Sequence, residues 1–441
     1  MNSNSKCISI FISFLAILNI HCVYAQDWPQ YLGPDRNSTS DQKGILRTWS
    51  EEGPEVLWTV GIGIGYGGPV VKDGKVYFLD RDDEVGDKMR CFDLNSGEEL
   101  WKFEYDAPGS VMFPGSRSVP IVTDNHVYSC GPYGELYCID INSQEPVWKR
   151  NIWTDFGGEE IPRWAITQCP LIYGEVLIAA SQAPDAGVVA YDKLTGEVIW
   201  KTPALGPVGY VSPSLAKIAG EDHVVMITAA QGRRGEPSTG GRVVGIDPLK
   251  GEILWEYTNW QCRIPAPSAY DAGEGKVLII GGYQAGAAMI EIKKESEGNY
   301  TVSELFKTVE FGSHTKPPLF YNGYFYAHYR TNERRDGMVC MSIDGEIMWK
   351  TKNEPDFNKG SMILADGLIL STDGGKSLYL IEPDPVEFKQ LATSELLVAE
   401  LDPDNPRASR YGTQNWAPIA LADGKLLIRD KDRLICVRVA E

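Results

Sequence analysis

Residues 91–101 read CFDLNSGEELW, and this stretch returns twice with little change. The second copy, VVAYDKLTGEVIW, ends at Trp200, and the third, VVGIDPLKGEILW, ends at Trp255. All three have a small residue, an Asp two positions later, a Gly four positions after the Asp and a Trp four positions after the Gly. Weaker copies end at Trp148 and Trp349. A unit repeated at this spacing predicts an array of similar supersecondary units.

Each unit begins with a strand after a proline, followed by a tight turn, a second strand, a hairpin and the quoted stretch. Turns such as Asp73-Gly74 and Asn322-Gly323 suit two-residue hairpins, because both central residues need positive φ. The eight strand openings are Pro69, Pro120, Pro170, Pro213, Pro267, Pro317, Met362 and Pro418. The seven closing positions are Trp101, Trp148, Trp200, Trp255, Phe306, Trp349 and a degenerate Leu391.

The missing eighth closing strand is supplied from the other end of the chain. Val56 to Val60 reads as a strand with a repeat-type Trp58 and no repeat before it. We therefore predict an all-β fold, an eight-bladed β-propeller with four-stranded blades, closed by the N-terminal strand. Circular closure leaves no free sheet edge, which is the problem that such folds must solve.

The first 25 residues have the features of a secretory signal peptide. Lys6 gives a basic start, Ile8 to Ile20 is an apolar run too short to span a membrane, and Ala25 marks the expected cleavage region. We expect residues 1–25 to be the signal peptide, 26–55 an N-terminal extension packed on the propeller, and 56–441 the propeller. The expected location is periplasmic or secreted.

Composition restricts the partners and the metal chemistry. A formal net charge of −18 argues against nucleic acid or an anionic membrane as the main partner. Cys91, Cys138, Cys340 and Cys436 fall where other repeats carry Ala or Gly, which predicts small buried strand residues. Cys130 and Cys138 flank a hairpin, so a disulfide between them stays open. The cysteines and histidines lack metal-site spacing, and no bound metal is expected.

The repeat A-x-D-x-x-[TS]-G-x-x-x-W resembles the tryptophan-docking repeat of the quinoprotein (PQQ) alcohol dehydrogenase-like superfamily. That resemblance implies eight four-stranded blades around a channel, with PQQ and calcium at its mouth in the dehydrogenases. The same repeat serves non-enzymatic relatives, including the outer-membrane assembly scaffold BamB. The opening DWPQYLGPDRNS is similar to exported PQQ-like repeat proteins of environmental bacteria. Fold alone does not imply the activity.

The resemblance assigns cofactor residues one at a time. Arg117 matches the Arg that contacts the quinone, and Thr167 matches a Thr of the entry segment of the next blade. The family's vicinal Cys pair is replaced by Val111-Met112. Its calcium-binding Glu falls in Ser181-Gln182-Ala183-Pro184, at a proline, which cannot coordinate a metal. No counterpart of the catalytic Asp is found from Ala229 to Ser238. The expectation is no cofactor, with PQQ as the alternative.

Residues just before the innermost strands ring one mouth of a propeller channel. The predicted ligand-binding residues there are Arg117, Thr167, Gln168, Tyr210, His314, Lys359, Asn415 and Trp416. Basic types recur among the equivalent positions and acidic types do not, which predicts a pocket for an anion in this acidic chain. Tyr210 and Trp416 offer faces that stack on a sugar or quinone ring.

A structural interpretation of the same cations stays open. Arg and Lys at a propeller mouth also pair with acidic loop residues and tie blades together, and Asp155, Glu159 and Glu160 are available for this. Under that interpretation the mouth holds no ligand.

Three functions follow. The favoured one is a non-catalytic exported binding or scaffold protein, with an anionic small molecule or acidic glycan at the mouth. A BamB-like scaffold would bind an envelope protein instead. The alternative class is an enzyme, either a degenerate quinoprotein oxidoreductase or an acidic-polysaccharide lyase or hydrolase. In the lyase, Arg117 or Lys359 would neutralise a carboxylate and Tyr210 or His314 would move the proton.

Overall fold

The computed structural model describes residues 26–232, 238–397 and 414–441. Eight four-stranded antiparallel units form the eight blades, one of them with an added fifth strand. First strands of neighbouring blades contact one another, so they line a central channel. The predicted eight-bladed all-β propeller is confirmed. The expected signal peptide, residues 1–25, lies outside the described residues.

Blades 1 to 4 follow one another along the chain, each with its strands in the order inner to outer. Blade 1 consists of Val70–Lys72, Lys75–Asp82, Gly86–Asp93 and Glu99–Glu104. Blade 2 consists of Ile121–Val122, His126–Cys130, Glu135–Asp140 and Pro146–Asn151. Blade 3 consists of Leu171–Tyr173, Val176–Ala179, Val189–Asp192 and Val198–Lys201. Blade 4 consists of Ser214–Ile218, Glu221–Ile227, Val243–Ile246 and Ile253–Tyr257.

Blades 5 to 8 complete the ring. Blade 5 consists of Tyr270–Gly273, Lys276–Gly281, Gly286–Ser296 and Asn299–Thr308. Blade 6 consists of Leu319–Tyr321, Tyr324–Arg330, Arg335–Ser342 and Ile347–Lys350. Blade 7 consists of Met362–Ala365, Leu368–Thr372, Ser377–Glu382 and Lys389–Glu395. Blade 8 consists of Ala420–Ala422, Lys425–Arg429, Arg433–Arg438 and the N-terminal Val56–Gly61.

The repeat works by docking each Trp on its small partner and on the next blade. Gly245 pairs with Trp255 across adjacent strands, and a Cβ at Gly245 would lie 2.1 Å from the indole ring. The Trp200 ring packs on Gly251 in the turn of the following blade, and its Nε1 donates to the Pro248 carbonyl at 3.1 Å. Trp200 thus requires the small Ala190 opposite it in its own blade and Gly251 in the turn of the next blade.

The repeat Asp residues shape the turns between the third and fourth strands. The Asp93 carboxylate accepts the backbone N–H groups of Asn95 and Ser96 at 3.0 and 2.8 Å. Asp192 does the same for Leu194 and Thr195. These carboxylates serve local turns and are not available for chemistry.

Blade 7 departs from the repeat, and the predicted closing residue Leu391 was wrong. Leu380 pairs with Ala392 at the register where other blades pair a small residue with Trp. The large residue has moved to the third strand and the small one to the fourth, which keeps the pair filled. Leu391 itself is exposed.

The chain closes as predicted. Val56–Gly61 pairs antiparallel with Arg433–Arg438, and Trp58 stands opposite Cys436. Behind this seam Arg429 is fully buried, and its guanidinium donates to the carbonyls of Gly63 and Gly67 at 2.7 and 3.1 Å. These contacts join blade 8 to the segment that enters blade 1.

The N-terminal segment crosses the channel, which the sequence did not indicate. Residues 28–40 hydrogen-bond to the innermost strands, or to the residue just before them, in five blades. The contacts are Trp28 with Val71, Pro29 with Val122, Arg36 with Pro170 and Pro213, and Ser38 with Leu364. Thr39–Ser40 also pairs in parallel with Met362–Ala365 as a fifth strand of blade 7. This segment fills the channel with backbone and side chains.

Buried strand residues are confirmed at Cys91, Cys138, Cys340 and Cys436, and the disulfide alternative is wrong. Across their hairpin Cys130 pairs with Leu136 and Cys138 pairs with Tyr128, so the two thiols do not face each other. Burial raises the pKa of the Cys138 thiol to about 12, which keeps it protonated.

Thr154–Phe156 is a single 3-10 turn. Within the described ranges, no helix has the length and apolar character that crossing a membrane requires.

Candidate functional site at the channel mouth

A cavity of about 1520 Å³ opens at the end of the channel where the loops enter the innermost strands. Tyr31 of the N-terminal segment lines it together with Cys169 and Ser212, so that segment lies at the cavity wall toward the channel interior. Six of the predicted ligand-binding residues also line this space: Arg117, Thr167, Tyr210, His314, Lys359 and Trp416.

Gln168 and Asn415 do not belong to the lining. Gln168 is buried between blades, where its side-chain oxygen accepts the Ala180 N–H and its nitrogen contacts the Cys130 sulfur. Asn415 donates from Nδ2 to the Gly375 carbonyl at 2.6 Å. Each is adjacent in sequence to a lining residue, and the alternation of the backbone turns its side chain away from the cavity.

Several lining residues were missed because they come from loops other than those before the innermost strands. Phe113 and Trp164 lie earlier in long connections, and Tyr283 lies between the second and third strands of blade 5. The only available signal was the clustering of aromatic residues in these loops, since no shared proline anchors their position.

The cavity lining is strongly cationic. Among the described residues that line it, Arg117, Arg163, Arg263, Lys316 and Lys359 face a single carboxylate, that of Glu333. The described parts of the chain contain no ion pair between these cations and Asp155, Glu159 or Glu160, the partners that the structural interpretation named. One wall of an acidic protein therefore attracts anions.

Lys316 and Lys359 are neighbours within this set of cations. Lys316 donates from Nζ to the carbonyls of Lys359 and Trp416. Burial, and then the charge of Lys359, lower the pKa of Lys316 to about 7. Burial, and then the charge of Arg330, lower the pKa of Lys359 to about 8. A bound anion would offset the free-energy cost of desolvating both ammonium groups.

Arg117 stabilises the loop at the mouth through Nη2, and its Nη1 has no hydrogen-bond partner among the described residues. Its Nη2 donates to the carbonyls of Met112 at 2.8 Å and of Phe113. Phe113 has φ of 61°, a conformation that non-glycine residues rarely adopt. Burial is the main cause that lowers the pKa of Arg117 to about 10, which leaves it cationic at neutral pH. The bonds to two carbonyls hold the strained loop in place.

Aromatic rings line the mouth in separate groups. Tyr66, Phe113 and Trp416 form one, with centroid separations of 5.8 to 6.2 Å. Trp164 and Tyr210 form a second at 5.2 Å, and the Arg163 guanidinium lies over Trp164. Ring faces beside cations are suited to a ring-shaped ligand that carries negative charge.

His314 and Tyr210 are poorly prepared for proton transfer. Burial, with the charges of Lys359 and Lys316, holds the pKa of His314 well below its usual range, so the imidazole is neutral and a weak base. Burial raises the pKa of the Tyr210 phenol, which keeps its proton at neutral pH. These are hydrogen-bonding groups rather than the general base that a lyase requires.

Three buried polar atoms around the cavity have no hydrogen-bond partner among the described residues. They are Arg117 Nη1, His314 Nδ1 and Trp416 Nε1. Buried polar groups are almost always satisfied, and an orphan costs roughly 1–3 kcal/mol. Twelve other buried polar atoms of the described residues also lack a partner, so these three atoms are local gaps in hydrogen bonding and do not by themselves define a ligand site.

The residues present do not fit a calcium-bound quinone. Val111 and Met112, at the Cys-Cys positions, line the cavity but cannot form a disulfide. Gln182 is committed to the Gly209 N–H at 2.7 Å, and Ser181 donates to the Ile152 carbonyl. Calcium takes six to eight oxygen ligands, rich in carboxylates, whereas the described lining supplies one. Residues 233–237 of the remaining candidate region lie outside the described residues.

Comparison with known proteins gives related sequences. A family model described as outer membrane protein assembly factor BamB matches residues 86–328, more than half of the chain. Quinoprotein ethanol dehydrogenase of Pseudomonas aeruginosa is 27% identical over 165 residues, covering 35% of this chain and 24% of that protein. Quinoprotein alcohol dehydrogenase PedH of Pseudomonas putida is 26% identical over 178 residues, covering 38% and 27%. The matched region spans about a quarter of these relatives.

Solved structures match over most of the length. A europium-containing methanol dehydrogenase superposes with a TM-score of 0.63 at 13% identity, covering 93% of this chain and 89% of that one. BamB from Moraxella catarrhalis gives a TM-score of 0.54 at 10% identity, covering 87% and 99%. At these identities the likeness establishes the fold.

Proposed function

Because the chain belongs to the PQQ-like propeller family, whose matching model is described as outer membrane protein assembly factor BamB, we propose that it is an exported, non-catalytic binding protein. Its ligand is an anionic ring-bearing molecule, of which an acidic glycan is the best example. The observation that carries this proposal is the clustering of five cations with a single carboxylate among the described residues that line one cavity.

Different lining residues would make different contacts with such a ligand. Arg117 has a spare guanidinium N–H and stays charged, so it suits a carboxylate or sulfate. Lys359 adds a second charge beside the face of Trp416, with its Nζ 4.2 Å from the ring centroid. Tyr66 and Trp416 on one side and Trp164 and Tyr210 on another provide faces for sugar rings. The neutral His314 supplies a hydrogen bond to a hydroxyl.

A thermal-shift titration of the purified protein tests this proposal. The panel contains oligogalacturonides, sulfated oligosaccharides, matched neutral oligosaccharides, and PQQ with and without calcium. We expect an acidic glycan to raise the unfolding midpoint with concentration, reaching about 2.7 kcal/mol of stabilisation at 100 times Kd. A shift with PQQ that requires calcium would replace this proposal with the dehydrogenase. No shift with any acidic glycan would remove the glycan class.

Replacing Lys359 by Met is expected to weaken binding of the acidic glycan by about 30-fold, since it removes a partly desolvated charge. Isothermal titration gives the Kd. The matched control is Lys102→Met, because Lys102 is exposed and paired with Glu104 on the outer strand of blade 1. Equal affinity of Lys359→Met and the wild type would place the ligand elsewhere.

Binding should also weaken as the pH rises. The pKa values of Lys316 and Lys359, about 7 and about 8, lie below the usual 10.5, so both ammonium groups lose protons between pH 6.5 and 9. We expect affinity for a uronate to fall by about tenfold across that range as charge is lost. Arg117 stays protonated and keeps part of the affinity. Affinity that is constant to pH 9 would mean that neither lysine contacts the anion.

A second candidate is a scaffold for an envelope protein, which the description of the family model favours. Outer strands of several blades carry exposed apolar side chains, including Leu100, Val147, Ile199 and Leu305. Such residues suit a protein partner that packs against blade edges. A pull-down from an envelope fraction compares the wild type with Lys359→Met and with Ile199→Glu. Loss of capture only in Ile199→Glu supports the scaffold.

A further inference from the structure

Lys359 differs from the other lysine at the bottom of the mouth in what its amine contacts. Its Nζ lies over the face of Trp416, and the described residues place no carboxylate within ion-pair distance of it. Lys316, by contrast, has its Nζ hydrogen-bonded to two backbone carbonyls. Lys359 lines the cavity, and its Nζ has no hydrogen bond or ion pair with the described residues, whereas the Nζ of Lys316 is hydrogen-bonded to the backbone.

Burial and neighbouring cations favour an uncharged amine at Lys359, whereas the face of Trp416 favours the ammonium. The charged and titratable groups that face it are Lys316, His314 and Arg330, which are cationic or neutral. Burial is the larger cause of its lowered pKa of about 8, so a sizeable fraction is neutral near pH 7.5. Lysines made nucleophilic in proteins are desolvated or lie next to another cation, and Lys359 meets both conditions.

We propose that Lys359 captures the carbonyl group of an oxo acid or aldehydic acid as a reversible imine, while the remaining N–H of the neighbouring Lys316 ammonium binds the carboxylate. This inference rests on the proposed anion-binding function of the same cavity and narrows its ligand class to acids that carry a reactive carbonyl. An acidic sugar with a free reducing end belongs to this class, because its open-chain form is an aldehyde.

The reaction balances without an oxidant or reductant. The neutral Nζ lone pair adds to the carbonyl carbon, and the carbonyl π electrons move to oxygen, which takes up a proton. Nitrogen loses a proton and gives a carbinolamine. Protonation of its hydroxyl releases water as the carbon–nitrogen double bond forms, and the remaining protons exchange with solvent at the open mouth. The reverse hydration releases the ligand unchanged.

Reductive trapping tests the inference on the full mature protein. The probe is glyoxylate with cyanoborohydride at pH 7.5, which converts an imine to a stable carboxymethyl amine, and peptide mass spectrometry locates it. We expect Lys359 to be labelled about tenfold faster than the exposed Lys102 in the same sample, because far more of its amine is neutral. Propionaldehyde, which lacks the carboxylate, should lose most of this preference.

Lys359→Arg is the matched variant, since it keeps a cation and removes the nucleophile. It should abolish the fast labelling and leave Lys102 unchanged. Labelling of Lys359 at the same rate as Lys102, or fast labelling that moves to Lys316, would overturn the inference.

The outcome separates this inference from the proposed function. An oligogalacturonide that stabilises the protein without any fast labelling by glyoxylate rejects the imine and leaves the anion site standing. Absence of both effects rejects both. Fast labelling that the oligogalacturonide slows supports a single site for the two ligands.

Discussion

Replacing Trp200 by Ala should lower the free energy of unfolding by about 3–5 kcal/mol, the range for a buried Trp truncated to Ala. Trp200 is 8% exposed, packs on Gly251 and donates to the Pro248 carbonyl in the next blade. The substitution opens a cavity between blades 3 and 4 and leaves that carbonyl without its donor. Denaturant unfolding followed by Trp fluorescence and circular dichroism measures the loss.

Trp101 provides the matched control. It is only partly buried, and the turn of the next blade has Gln144, with φ of 63°, where other blades have Gly. Trp101→Ala should therefore cost about half as much as Trp200→Ala. Equal losses at the two positions would show that the turn glycine contributes nothing to the docking of the indole.

Replacing Arg429 by Met should destabilise the protein by about 3–5 kcal/mol, because a fully buried charge with several partners is removed. Its guanidinium donates to the carbonyls of Gly63 and Gly67, approaches Ser116 Oγ at 3.4 Å, and lies 4.0 Å from the buried Asp80. The variant leaves carbonyls unsatisfied at the seam where the ring closes. Chemical denaturation at pH 7 measures the change.

Arg438 lies in the third strand of the same blade and is the control for this prediction. It is 51% exposed and pairs with Glu55 at 2.8 Å. An exposed pair of this kind contributes about 0–1 kcal/mol, so Arg438→Met should unfold almost as the wild type does. A loss at Arg429 as small as that at Arg438 would mean that closure depends on strand pairing alone.

The fold was predictable because the packing of one blade requires particular residue types at fixed positions of the repeat. A small residue, an Asp turn and a Gly at fixed offsets from a Trp specify one blade, and the unmatched Trp58 specifies closure. The departure in blade 7 was not predictable, since Leu380 and Ala392 exchange large and small across two strands. Such an exchange keeps one large and one small side chain opposite each other, but the sequence no longer matches the repeat.

Only the site residues that lie just before the innermost strands could be predicted from the sequence. Counting back from each strand opening found Arg117 and Lys359, yet the neighbouring positions also included Gln168, whose side chain faces the blade interface. Sequence position carries no information on side-chain burial, so the burial that distinguishes Lys316 and Lys359 from surface lysines could not be predicted. Sequence position specifies the loop, whereas burial and side-chain direction depend on the neighbouring blades.

The passage of residues 28–40 across the channel also escaped sequence reasoning, because the segment is rich in turn-forming residues and lacks strand periodicity. Its anchoring depends on backbone contacts and on Arg36, whose guanidinium donates to the carbonyls of Pro170 and Pro213. A basic residue in a loop gives no sign that it will be buried in this way.

Residues 28–40, which cross the channel, close the inner end of the cavity. A ligand enters and leaves by the same opening, so a linear polymer cannot be threaded through the propeller. A ligand therefore approaches Lys316 and Lys359 from the mouth side of the propeller.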